Sequence, residues 1–273
     1  MRKDELLVDL VESPVSRRLF AKRLGLAGAT VAIGGGALGT AASPVKAAGV
    51  SDIDILNFAL NLEYLEAEFY TVATTGRRIA ELGIDVSGRG ASGGTVGGQR
   101  VAFDTRLGAV MRELADDEQK HVVFLRTALR GAAVAKPDIN LEALGLGFRN
   151  VPEFLTLARA FEDVGVSAYG GAAPLVESSK VLAAAAQIAL TEAQHAGMLR
   201  FLVGQQNIRV PPLDADDVLP PPAGARFFAV DDNALSVVRT PGQVLSIVYA
   251  SAAGGADRGG FFPSGVNGAI AAV

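Results

Sequence analysis

The sequence predicts an all-α protein: a four-helix bundle, preceded by a leader and followed by an extension that carries a fifth, short helix. Three observations point there. Glu118–Arg126 and Glu192–Arg200 both read Glu-x-x-His-x-x-x-Leu-Arg and contain the only two histidines of the chain. A glutamate three residues before a histidine lies on the same helical face, one turn away, which is metal-ligand spacing. Each of these stretches is preceded by Glu-x6-Tyr, at Glu63/Tyr70 and at Glu162/Tyr169, so the chain repeats Glu-x6-Tyr then Glu-x-x-His twice. Finally, four segments between residues 50 and 206 have helical apolar periodicity bounded by recognisable start and stop residues. With 13 glutamates in 273 residues, two chance Glu-x-x-His pairs would arise roughly once in 400 trials.

Composition narrows the chemistry. A chain of 273 residues with 49% hydrophobic content suits one medium domain with appendages and is not that of a disordered polymer. The absence of cysteine excludes disulfides, thiolate zinc sites, iron–sulfur clusters and a cysteine nucleophile, leaving oxygen and imidazole as metal ligands. Net charge is −4, with no basic block outside the N-terminus, so there is no electrostatic footprint for nucleic acid.

Residues 1–47 read as a signal peptide. Ser16-Arg17-Arg18-Leu19-Phe20-Ala21-Lys22 resembles a twin-arginine export signal; an apolar, glycine-rich stretch follows from Leu24 to Ala42, and Val45-Lys46-Ala47 is an A-x-A-like site. Cleavage after Ala47 and a periplasmic or extracellular destination are expected, with no stable membrane insertion afterwards. Losing the leader removes 7 of 25 basic and 4 of 29 acidic residues, leaving 18 and 25 and a net charge of −7.

Residues 48–208 then form the bundle. Helix 1 is expected from Ser51, with Asp54 as capping-box partner, to about Thr75; its inward stripe carries Glu63 and Glu66, while Glu68 falls off the stripe and is expected in solvent. Residues 76–103, rich in glycine, read as a long mobile loop. Helix 2 is expected over about 104–130, closed by Gly131, with Leu107, Met111, Leu114, Glu118, His121 and Leu125 on one face. A connector over 132–149 is long enough to cross the bundle. Helix 3 starts with Asn150 as N-cap and Pro152 in its first turn, carries Glu162 on its apolar side, and ends near Gly170. Helix 4 should open near Pro174, run antiparallel to helix 3 to about Gln205, and carry Glu192 and His195. The extension, 209–273, begins proline-rich and should form a docking helix from the cap Thr240 to about Ala252.

Four carboxylates in an apolar core need counter-charge, which two divalent cations with two neutral imidazoles would provide. Iron or manganese suits an oxygen-rich pair better than zinc. The pattern resembles the ferritin-like superfamily of di-metal carboxylate bundles. The stretch Asn61-Leu62-Glu63-Tyr64-Leu65-Glu66-Ala67-Glu68-Phe69-Tyr70, the leader and the Phe261-Phe262-Pro263 tail are similar to a bacterial branch related to plant desiccation-related proteins. The resemblance implies a metal site in which Glu118 and Glu192 bridge, Glu63 and Glu162 are terminal ligands, and His121 and His195 bind one metal each. It further implies Tyr70 and Tyr169 as donors to the ligands. Glu66 is expected near the site. Asp117 is expected to accept a hydrogen bond from a ligating histidine, although Thr191 at the matching place on helix 4 leaves that symmetry incomplete. Oxygen or peroxide is the implied partner, with ferroxidase-like or catalase-like oxidative-stress chemistry. The alternative is a non-enzymatic stress or desiccation protectant with a structural or vestigial site. Self-association is left open, and the appended helix and proline-rich tail argue against a storage cage.

Overall fold

A computed structural model describes residues 49–251 and 253–273. The expected leader, with Arg17, Arg18 and the cleavage site after Ala47, lies outside the described residues. Among the described residues the fold is all-α: α1 (Asp52–Thr75), α2 (Thr105–Leu129), α3 (Val151–Ala172), α4 (Ser179–Gln205) and the short α5 (Pro241–Val248). None of these helices is long and apolar enough to cross a membrane.

Side-chain caps set most of the helix starts. Ser51 and Asp54 form a capping box on α1, Asp104 Oδ1 accepts from Leu107 N, Asn150 Oδ1 accepts from Glu153 N, and Thr240 and Gln243 form a second box on α5. Three boundaries differ from expectation. Arg130, not Gly131, takes the positive φ of 52° that ends α2. Pro174 belongs to a 3₁₀ turn, Ala173–Leu175, and α4 begins afterwards under the cap Ser178. α5 stops at Val248, short of the expected Ala252.

α1 packs chiefly on α2 and α3 on α4. Cross-contacts fix the directions. Along α1 and α2, Tyr64 meets Arg126 and Thr71 meets Gln119, so the two run antiparallel. Asp163 of α3 meets Arg200 of α4, while Ala172 lies near Val181, so this pair is antiparallel too. Asp52 at the start of α1 accepts from the backbone N–H groups of Glu177 and Ser178 at the start of α4, both at 2.8 Å. α1 and α4 therefore point the same way, and the chain has the pseudo-twofold arrangement that its internal repeat requires.

Outside the bundle lies a second layer. Residues 76–103 are not a free loop. They contain a 3₁₀ turn, Ile79–Leu82, and β1 (Thr95–Val96), which pairs in parallel with β2 (Ile139–Asn140) in the register Thr95↔Ile139. Further backbone bonds join Arg89 to Ala133 and Ala135, and Gly93 to Lys136. A Cβ on Gly93 would lie 2.0 Å from Asp138 N, so glycine there permits the close approach of two backbones. This layer wraps the outer side of α1, which is buried continuously from Leu60 to Ala73.

Glu68 corrects the sequence reading most clearly. It is 0% exposed rather than solvated. Its Oε1 accepts from Thr95 Oγ1 (2.9 Å) and its Oε2 from Ile79 N (3.3 Å), and the buried Lys136 Nζ lies 3.7 Å away while donating to Thr95 Oγ1 (2.8 Å). Helical periodicity reports only the bundle face, about 140° away from Glu68 relative to Glu63 at 100° per residue. It carries no information about a layer packed on the other side.

The extension is fastened to α3 and α4 by a second ionic set. Arg159 pairs with Asp163 and Asp217, Arg200 with Asp163, and Arg239 with Asp214. Phe261 and Phe262 of the tail are buried, and Asn267 exchanges hydrogen bonds with Asn61 of α1.

If Glu68 and Lys136 hold the outer layer, Glu68→Ala should lower stability to urea by about 3–5 kcal/mol, the typical result of leaving a buried charge unpaired. The double change Glu68→Leu/Lys136→Met should recover most of the loss. A loss below about 0.5 kcal/mol, the range of ordinary surface changes, would contradict the assignment.

Candidate metal centre

The six expected ligands converge from all four bundle helices. α1 supplies Glu63, α2 supplies Glu118 and His121, α3 supplies Glu162, and α4 supplies Glu192 and His195; all six are buried. They form two overlapping donor sets, each with its ligand atoms within 4.8 Å of one another: Glu63, Glu118, His121 and Glu192; and Glu118, Glu162, Glu192 and His195. Glu118 and Glu192 belong to both.

His121 Nδ1 lies 3.2 Å from oxygens of Glu63, Glu118 and Glu192 alike. A ring nitrogen carries at most one hydrogen, so it cannot serve three carboxylates through hydrogen bonds. His195 Nδ1 is 2.9 Å from Glu118 Oε1 and 3.3 Å from Glu162 Oε2, yet neither contact has hydrogen-bond geometry. Glu118 Oε1 and both oxygens of Glu162 and Glu192 are likewise buried without a hydrogen-bond partner. Buried polar atoms are rarely left so. These orphaned lone pairs face one another across the two sets, and the donor chemistry fits metal ions.

Electrostatics shows the same need. Burial, reinforced by the Glu192 charge, pushes Glu118 up to about 8; burial and Glu162 push Glu192 up to about 8; burial and Glu118 push Glu162 up to about 7. Glu66 is raised well above the carboxylate range by burial and by the charges of Glu192, Glu118, Glu162 and Glu63. Burial works against a charged His195, but Glu118 and Glu162 overturn it and hold the ring at about 11. The same balance raises His121, and in return Glu63, which burial alone would raise, is lowered by the His121 charge.

The supporting residues divide. Tyr169 donates to Glu63 Oε1 at 2.5 Å, across the bundle from the other half of the repeat. Tyr70 is its counterpart, raised well above its usual range by burial and by the adjacent Glu162, but its hydroxyl does not reach hydrogen-bond geometry. Of the two tyrosines, Tyr169 is the one whose hydroxyl has a hydrogen bond to a candidate ligand among the described residues. Asp117 Oδ2 lies 3.4 Å from His195 Nε2, on the ring edge away from the carboxylates. Lys120 Nζ is 3.7 Å from Asp117 at the surface.

Gly165 was not anticipated. A Cβ there would lie 2.5 Å from Glu192 Oε2 and 3.0 Å from Glu66 Oε1. Gly165 follows Glu162 by three residues, just as Glu66 follows Glu63. The two positions are equivalent in the internal repeat, and the glycine of one half leaves the space that the extra carboxylate of the other half enters. A glycine in the interior of a helix, where it costs about 1 kcal/mol against alanine, was the available signal.

With this geometry in place, the comparisons with known proteins decide the family. A model described as a ferritin-like domain matches residues 51–205. The chain belongs to the ferritin-like family. Among curated relatives it is 26% identical over 272 residues to the ferritin-like catalase Nec2 of Nesocodon mauritianus, covering 81% of this chain and 85% of that protein. It is 26% identical over 170 residues to the desiccation-related protein PCC13-62 of Craterostigma plantagineum, covering 56% of this chain and 53% of that one. The five-helix architecture and the buried carboxylate–histidine cluster are those of a ferritin-like protein able to bind metal.

The shifts fix a pH dependence for the metal-free protein. Glu118, Glu162 and Glu192 have folded values raised above 4.5. Their stabilising contribution is complete below about pH 4.5 and is lost as pH rises through about 7 to 8, because the folded state holds protons that the unfolded chain releases. His195, raised from 6.5 to about 11, acts in the same direction at higher pH, and Glu63, lowered, acts in the opposite one. In chelator, urea stability should therefore fall between pH 5 and pH 8. Stability constant or rising across that interval would contradict this account of the cluster.

Proposed function

We propose that the chain is a di-metal carboxylate oxidoreductase that holds two iron or manganese ions and reacts with oxygen or peroxide. One observation carries the reading: two donor sets of opposite halves share Glu118 and Glu192, and the carboxylates in them pair with no lysine or arginine among the described residues. Under it, Glu118 and Glu192, common to both donor sets, would serve both ions, Glu63 and His121 would complete one set, and Glu162 and His195 the other. Four carboxylates match the charge of two divalent cations, with neutral imidazoles completing the set. The bound metals would supply the redox chemistry.

The protein residues do the rest. Asp117 accepts from His195 Nε2, which fixes the ring and leaves Nδ1 for the metal, as carboxylates behind metal-bound histidines do. Tyr169 holds Glu63 in position. Phe69, stacked on Phe154 at 4.7 Å and edge-on to Phe161 at 4.9 Å, belongs to a buried aromatic group that packs α1 on α3, the helix that carries Glu162. Gly165 gives Glu66 room beside Glu192, where it can hold a proton within the cluster.

Similarity to a protein named as a catalase favours peroxide as the oxidant. Similarity to a desiccation-related protein supports the second reading, a protective protein whose site is structural. After reconstitution with manganese or iron, wild-type protein should turn over peroxide or consume dioxygen. Glu162→Ala and His195→Ala should abolish turnover with helical circular dichroism unchanged, and Asp117→Asn should weaken metal affinity by about 10–100-fold. Wild-type protein that is fully loaded yet inert to both oxidants would favour the protective reading.

A further inference from the structure

We infer that the crevice at the end of the bundle where α1 and α4 begin and α3 ends is a binding site and passage for dioxygen-sized apolar molecules, opening on the Glu63 side of the carboxylate cluster. This inference rests on the proposed oxygen or peroxide chemistry.

Twelve residues line the crevice, and Tyr169 alone among them has a polar side chain. The cavity measures about 20 Å³. That is room for one small molecule, but a water settles only where it finds two to four polar partners. The single candidate partner is already engaged, since the Tyr169 hydroxyl is turned inward and donates to Glu63 Oε1 at 2.5 Å. A water would therefore enter with almost nothing to bond, and a hydrated cation would fare worse because nothing replaces its hydration. An uncharged diatomic molecule loses little on leaving water and gains contact with the walls.

The shape supports a passage. Small residues, Ala59, Ala172 and Ala185 among them, leave the gap that longer side chains would close. The outer wall (Leu56, Ala59, Val181, Ala185) is half-buried, so the gap communicates with the surface, whereas Phe58 and Leu62 deeper in are buried. The half-buried Tyr169 stands between the crevice and the cluster: its ring forms part of the wall and its hydroxyl bonds a member of the first donor set. The other edge of the cluster is polar, with Asp117 and Lys120 beside His195. The two edges therefore suit different traffic: dioxygen through the crevice, ions and hydrated species on the histidine side.

The test uses the metal-loaded protein as purified, with Ala185→Phe and Ala59→Leu as two independent fillings of the crevice. Both positions line the crevice and are half-buried, so a larger side chain there occupies the gap without displacing the fully buried core. Ala186→Phe, on the exposed neighbouring position of α4, is the control. Crystals pressurised with krypton should show density in the crevice beside Tyr169 in the wild type and the control and none in Ala185→Phe. The rate of dioxygen uptake, or of its release from peroxide, should fall about tenfold in both filled variants and stay unchanged in the control. Absence of krypton from the wild-type crevice, or full dioxygen rates in both filled variants, would overturn the inference. A wild-type protein that neither consumes nor releases dioxygen would instead overturn the functional reading, and the krypton result alone would then decide whether the crevice takes apolar diatomics.

Discussion

The rest of the structure depends on how a helical core can contain Glu63, Glu66, Glu118, Glu162 and Glu192 together. Elsewhere this chain neutralises buried acids directly: Asp163 and Asp217 pair with Arg159, Asp163 also with Arg200, and Glu68 lies beside Lys136. The central five are given no lysine or arginine among the described residues, only two histidines and one another. Such a cluster must take up protons or cations, and the raised carboxylates express that demand. Protons and metals compete for the same lone pairs. The position of each glutamate, the inward-facing imidazole nitrogens and the orphaned oxygens follow from one requirement for positive charge on the pseudo-twofold axis.

The peripheral layers keep that centre in place. A four-helix bundle exposes the outer faces of its helices, yet α1 is enclosed from Leu60 to Ala73 by the 76–103 segment and the connector after α2. Asn57 and Asn61 fasten α1 to the connector and to the tail through side-chain amides bonded to backbone. The arginine–aspartate set fixes the extension against α3 and α4. With α1 clamped on its outer side, the carboxylates on its inner side have a defined position, as a preorganised centre requires.

The interior of this fold was more legible in the sequence than its exterior. Ser51, Asp104, Asn150 and Thr240 mark helix starts because a cap is a local interaction between residues three apart. The cluster was legible because internal repetition writes a two-fold site twice: Glu63 and Glu162, Tyr70 and Tyr169, the two Glu-x-x-His stretches. What escaped depends on contacts distant in sequence. The start of α4 is fixed by Ser178 and by the Asp52 carboxylate, more than 100 residues earlier; Pro174, which looks like a helix opening, serves a 3₁₀ turn. Glu68 looked solvated because its partners Thr95 and Lys136 come from segments without helical periodicity. The part played by Gly165 depends on its equivalence to Glu66 in the repeat, and spacing alone does not tell that Tyr169 bonds Glu63 while the Tyr70 hydroxyl has no hydrogen-bond partner.

The most direct test of the central claim is anomalous diffraction from crystals of the protein reconstituted with manganese. The account predicts two manganese peaks per chain, one beside His121 and one beside His195, with Glu118 and Glu192 touching both. No peak, or a single peak that leaves one of the histidines without metal, would contradict it.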